Sequence, residues 1–146
     1  MTLIRRAGGR AAKSAALWTS LHARNEGIFY RGVGPNSMGK GHDLQALGAG
    51  LYVTWNAMQA EAFAGPGGTV LRYRLPLNLV MMDDRGRDMA EIKASMGFQP
   101  WEYAAGPMFA AMLRMSARDR GYDGVVSDNP AMGIVVFDEG RVEALD

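Results

Sequence analysis

Two stretches decide how this chain is read: Gly27-Ile28-Phe29-Tyr30-Arg31-Gly32 and, further along, Gly48-Ala49-Gly50-Leu51-Tyr52-Val53-Thr54. Each is a short apolar run containing aromatics and bounded by glycine, the pattern of a buried strand. The first carries an arginine at its centre. A guanidinium taken out of water without a counter-charge costs several kcal/mol. Arg31 therefore either pairs with a carboxylate, Asp123 or Asp128 being the available acids, or faces a cleft that receives an anion. An arginine and a tyrosine on adjacent strands, flanked by glycine loops, point to a nucleotide pocket.

Around these strands the chain reads as alternating short elements. A helix is expected over residues 10–24, with Ala11, Ala15, Trp18 and His22 on one stripe and the basic residues elsewhere. Residues 28–31 form the first strand. A glycine-rich connection over residues 32–50 follows, with one helical turn over residues 42–47. The second strand covers residues 51–55. Asn56 is placed as the N-cap of a helix over residues 57–64. Strands are expected at 69–75 and 79–82, and helices over 89–96 and from Met108 to about Arg118, with Gly121 as the C-cap of the latter. Final strands fall at 125–126, 134–137 and 142–145. In the helix that begins near Met108, Met108, Ala111, Met112 and Met115 share one stripe, which reads as adaptable core. The order of elements is not a regular βαβ alternation, so the expected class is α+β, and 146 residues fit one domain over 1–146.

Composition narrows the chemistry. With 48% apolar and 21% charged residues the chain is ordinary for a globular protein, and its net charge of +1 indicates no partner by itself. Its distribution says more: Arg5, Arg6, Arg10, Lys13 and Arg24 precede the first acidic residue, Glu26. Such a basic leading segment suits nucleic acid or an acidic surface, or is simply a solvated helix face. There is no cysteine, and His22 and His42 lack metal-ligand spacing. Thiolate catalysis, a cysteine-ligated zinc and a serine–histidine triad are therefore disfavoured, and no metal is expected. No apolar run approaches the length of a membrane span, and no secretory signal is evident, so the expectation is no membrane partner and a cytoplasmic location in the producing or the target cell.

Four pieces of the chain resemble the ADP-ribosyltransferase fold family. Tyr30-Arg31-Gly32 resembles the first-strand arginine of its arginine–serine–glutamate branch. Gly50-Leu51-Tyr52-Val53-Thr54 resembles the second core strand, which carries an aromatic and then a serine or threonine. Residues 60–64, with Phe63, resemble the helix whose aromatic lies near the nicotinamide. Gly121-Tyr122-Asp123-Gly124-Val125-Val126, followed by Ile134-Val135-Val136-Phe137, resembles the C-terminal strand pair of small phage and effector-type members. The resemblance implies a split β-sheet core with flanking helices. It also implies NAD as substrate and transfer of ADP-ribose to a protein or nucleic-acid acceptor, as a transferase of the effector or toxin kind. It further implies a site in which Tyr30, Arg31, Gly32, Tyr52, Thr54 and Phe63 bind the dinucleotide, with Tyr52 and Phe63 stacking on the nicotinamide.

The chain departs from the family at one point. The family places a catalytic glutamate at the start of the last core strand, where this sequence has Ala131, Met132 and Gly133. Cleavage of the nicotinamide–ribose bond passes through a cation-like ribose that a carboxylate stabilises, as in glycoside hydrolysis. Asp128, whose turn leads into that strand, is the expected catalytic acid beside Arg31. Two other functions share the same pocket: hydrolysis of NAD without a macromolecular acceptor, and a non-enzymatic binding module, which the missing glutamate favours.

Overall fold

The runs 51–53, 124–126 and 134–136 carry apolar or glycine residues at every position, and all nine residues are buried. A strand whose two faces are both apolar requires a cover on each side of its sheet, and that requirement organises the molecule. The computed structural model describes residues 12–34 and 45–145. Among them are four helices, α1 (Ala16–Asn25), α2 (Ala57–Ala64), α3 (Arg87–Ser95) and α4 (Pro107–Asp119). The strands are β1 (Ile28–Val33), β2 (Leu51–Val53), β3 (Thr69–Arg74), β4 (Met81–Asp83), β5 (Gly124–Val126), β6 (Ile134–Val136) and β7 (Glu143–Ala144). The class is mixed helix and strand, with two small sheets. No helix among the described residues is long and apolar enough to cross a membrane.

The larger sheet has the order β2-β6-β5-β4, antiparallel except for the parallel pair β4/β5. The period of two along each strand sorts its side chains into two cores. Leu51, Val53, Met81, Val126, Ile134 and Val136 meet Trp18 and Leu21 of α1 and Phe29 of β1. Tyr52, Met82, Val125 and Val135 meet Met89 and Ile92 of α3 and Phe109 and Leu113 of α4. The smaller sheet, β1-β3-β7, is antiparallel throughout. It touches the larger one at a single backbone bridge, where Tyr30 and Thr54 exchange two 2.8 Å hydrogen bonds.

Several boundaries differ from the sequence reading. Helix α1 starts at Ala16, because the two residues before it serve the open edge of β4. Ser14 Oγ donates to Leu79 O and accepts from Met81 N, and Ala15 N donates to Met81 O. An edge strand left bare would expose its unpaired groups. Residues 10 and 11 of the expected helix, the basic residues before them, and residues 35–44, including the first half of the expected turn over 42–47, lie outside the described residues. Helix α2 matches its expected bounds, with Asn56 Oδ1 accepting from Gln59 N at 3.1 Å.

The methionine stripe is a correction. Met108, Met112 and Met115 face outward, Met108 being 77% exposed, and α4 buries Phe109, Ala110, Leu113 and Ala117 instead. Helix α4 is apolar around most of its circumference, so periodicity alone does not choose the inward face. The small Ala110 and Ala117 allow close approach to the sheet, and Phe109 meets Phe98 edge-on at 5.5 Å. The unbranched methionines are left to the rim.

Helix α2 lies directly on β1 at Gly32. A Cβ built there would stand 1.9 Å from Ala60 O and 2.8 Å from Ala64 N, both backbone atoms that cannot swing aside. Gly32→Ala is expected to lower stability by at least about 2 kcal/mol, as overpacking against fixed backbone does. Urea denaturation of the two proteins measures it, and equal midpoints would show that α2 does not sit against this strand.

Candidate functional site

The site grows from the point where the two sheets part. Beyond the Tyr30–Thr54 bridge, β1 and β2 no longer pair, and side chains fill the gap on each side. On one side Asn25 Nδ2 donates to Trp55 O at 3.0 Å. On the other, Arg31 Nη1 reaches Tyr52 O at 3.4 Å, a long contact that leaves most of the guanidinium's donors for other partners. Of the two acids that the sequence offered as partners for Arg31, Asp123 pairs with Arg141 (3.4 Å) and accepts from Val80 N (2.8 Å), and Asp128 pairs with Arg85 (3.3 Å). Among the described residues no carboxylate forms an ion pair with Arg31.

Arg31 lines a narrow cleft together with Tyr30, Gly32, Thr54 and Phe63, closed on the far side by residues 130–133. Five of the residues singled out in the sequence thus converge. The described walls stand too close to leave space for even a water molecule between them, whereas sites for drug-sized molecules run to about 300–1,000 Å³, so a ligand enters here only where the walls part. The backbone fixes this arrangement locally. Thr54 is buried, donates through Oγ1 to Pro130 O (3.1 Å) and accepts from Asn56 N (3.2 Å). It thereby ties β2, the start of α2 and the far wall together. Phe63 arrives on α2, which Gly32 admits.

The other two expected site residues lie elsewhere. Tyr52 points to the opposite face of its sheet. Its hydroxyl donates to Gly48 O at 2.6 Å and accepts from Leu47 N at 3.0 Å. Burial pushes its phenol well above the usual range. Positions 52 and 54 would share a face in an unbroken strand, but β2 ends at Val53 and Thr54 belongs to the junction. Asp128 stands on the loop over 127–133 with its side chain about half exposed (51%), upstream of the segment that forms the cleft wall. That wall carries Pro130, Ala131, Met132 and Gly133 and no acid.

A second polar group was not singled out in the sequence. Asp84, directly after β4, is 3% exposed, and Lys93 of α3 is fully buried. Asp84 Oδ2 accepts from Tyr103 Oη at 2.5 Å, and its Oδ1 is buried with no hydrogen-bond partner. Lys93 Nζ donates to Pro100 O at 3.1 Å and lies 3.9 Å from the centre of the Tyr103 ring. The signal was present: Lys93 falls on the same helical stripe as Met89, Ile92 and Met96, an apolar position given to a cation. Burial raises the Asp84 carboxyl above its ordinary range. The Tyr103 hydroxyl, the Lys93 charge and the Ser127 hydroxyl oppose that shift, and Asp83 adds to it. Burial likewise lowers the Lys93 amine, against the attraction of Asp84.

A carboxyl whose value is raised in the folded protein adds stability that is complete below its unfolded value, near 3.8, and is lost as pH climbs through the folded one. Asp84→Asn cannot titrate. Its melting temperature relative to wild type is therefore expected to be higher at pH 7 than at pH 4. The slope is the readout, because the loss of the Lys93 counter-charge shifts every point. A relative melting temperature that stays flat or falls over this range would contradict the placement of Asp84. No protein-family model, curated protein or solved structure matches this chain.

Proposed function

We propose that this domain is a mono-ADP-ribosyltransferase that takes NAD at the sheet junction, the walls of the cleft parting to admit it, and modifies a macromolecular acceptor. The observation that carries the reading is the convergence of Tyr30, Arg31, Gly32, Thr54 and Phe63 on one cleft whose cation has no carboxylate partner among the described residues. Arg31 offers a planar set of donors suited to the diphosphate. Phe63 supplies a ring face for the nicotinamide, worth about 1 kcal/mol beyond its buried area. Thr54, committed to Pro130 O and Asn56 N, holds the walls rather than the ligand.

In the transfer step the bond between ribose C1′ and the nicotinamide nitrogen breaks, and its electron pair leaves with neutral nicotinamide. The acceptor's nucleophile bonds to C1′ and releases its proton. Asp128, carried on the loop that forms the far wall, is the acid assigned to stabilise the cation-like ribose and take that proton, after exchanging Arg85 for the substrate. A second reading has a specific observation behind it: the described cleft wall holds no carboxylate, which favours a module that binds NAD or a partner without turnover.

The wild type and two variants separate these readings. NAD at a hundred times its Kd is expected to stabilise the wild type by about 2.7 kcal/mol, roughly 5–10 °C in melting temperature. Arg31→Ala is expected to abolish the shift. With radiolabelled NAD and a lysate, Asp128→Asn is expected to keep binding and lose transfer by about 100-fold or more. Binding without label transfer by wild type would leave the second reading standing, free ADP-ribose without an acceptor would indicate hydrolysis, and no NAD-dependent shift at all would end both catalytic readings.

A further inference from the structure

The connection between α3 and α4, residues 96–106, is bounded by two glycines in the left-handed region, Gly97 at φ +86° and Gly106 at φ +114°. A Cβ at either position would meet no atom within 4 Å. These glycines therefore serve the backbone's conformation, not close packing. Between them, residues 99–103 are exposed. The segment is nevertheless fastened at its centre. Tyr103 Oη donates to Asp84, Pro100 O receives the Lys93 amine, and the Tyr103 ring lies over that amine. At its start, Phe98 is anchored separately, through its amide to Lys93 O (2.8 Å) and its ring against Phe109.

The contrast across the latch is what requires an account. Lys93 is fully buried and Asp84 nearly so, yet the ring that covers them is itself 45% exposed. One half-exposed aromatic ring lies over a buried amine and bonds to a buried carboxylate. Asp84 N donates to Val126 O at 2.9 Å, which places the pair at the carboxyl ends of the parallel strands β4 and β5. That is the end at which sheets with helical crossovers take ligands.

We propose that residues 99–106 form a strap that swings between its Phe98 anchor and the Gly106 hinge and is latched by Tyr103, closed here over Asp84 and Lys93. Opening rotates the Tyr103 ring away, breaks its hydrogen bond to Asp84, and presents a cation and a carboxylate to solvent while both cores stay packed. The strap does not depend on the NAD reading and stands whether or not the cleft at Arg31 binds a dinucleotide.

Amine acylation read by peptide mass spectrometry, with hydrogen exchange of the backbone, tests it. In wild type, Lys93 is expected to acylate far more slowly than the exposed Lys13. Tyr103→Phe keeps the ring and deletes the latch. It is expected to raise the Lys93/Lys13 acylation ratio by about tenfold, equivalent to about 1.4 kcal/mol, and to speed exchange over 99–106 by a similar factor. Exchange in β4, β5 and α4 stays unchanged. Wild-type protection in the variant would overturn the proposal, as would exchange that rises equally in the sheet. Should the variant not fold, wild type alone decides. Lys93 acylation must persist at the same rate in low urea while sheet exchange accelerates, and acylation that accelerates in step with the sheet would show that only global unfolding exposes Lys93.

Discussion

The molecule depends on one short meeting of strands. Tyr30 and Thr54 exchange two backbone hydrogen bonds, and on either side of that pair the two sheets separate. Two such bonds contribute about 1 kcal/mol each net of solvent. That is less than the burial of Phe29, which is complete, together with its stacking on Trp18 at 5.4 Å; these are worth about 1.5–3 and 0.5–1.5 kcal/mol. The apolar wedge between the sheets therefore sets their divergence, and the bridge sets where it begins. Asn25 and Arg31 then reach the carbonyls of Ile28 and Tyr52, which a continuous ladder would have taken. An arginine stands in a sheet here because the sheet ends beside it.

Covering both faces of the β2-β6-β5-β4 sheet has consequences for polar groups. Any side chain at a strand end must either leave the layer or find partners within it. Thr54 and Ser127 find backbone partners in the loop over 127–133, and Asp123 accepts from Val80 N. Asp84 and Lys93 are costlier. Opposite charges buried near each other without a direct ion-pair contact attract in a low dielectric but lose hydration, so their presence is weak evidence for stability. Their persistence, with one carboxylate oxygen unsatisfied, fits a region held for a purpose other than maximal stability.

The same layering explains how function and structure share the end of the larger sheet. Thr54, Gly133, Ser127 and Asp84 follow or precede the paired residues Val53, Ile134, Val126 and Asp83, which stand in register across four strands. The cleft at Arg31 and the latched pair at Asp84 therefore open at one end of one sheet, at its two opposite edges. The loop over 127–133 lies between them, with Asp128 paired to Arg85 on the latch side and residues 130–133 walling the cleft on the other.

Much of the architecture was legible in the residues. Short apolar runs located the strands β2, β5 and β6, because burial on both faces demands unbroken apolar sequence, and a glycine-bounded run located β1. Asn56 and the alanines after it placed α2, because capping and helix propensity act over a few residues. The glycine beside Arg31 and the aromatic at 63 pointed to a common cleft, and they share one. What local pattern left open was decided by packing at a distance. The sheet took the Phe109–Leu113 face of α4 over the methionine face, since helical spacing permits either and only a partner surface distinguishes them. Residues 12–15 stay out of helix α1 because β4 needed Ser14 and Ala15 at its edge. Tyr52 turned inward, away from Thr54, because β2 stops between them. The encounter of Asp84, Lys93 and Tyr103 joins a strand end, a helix and a connection that no sequence spacing relates. Propensity and periodicity act along the chain, whereas which polar groups share a buried volume depends on how separate elements come to rest against one another.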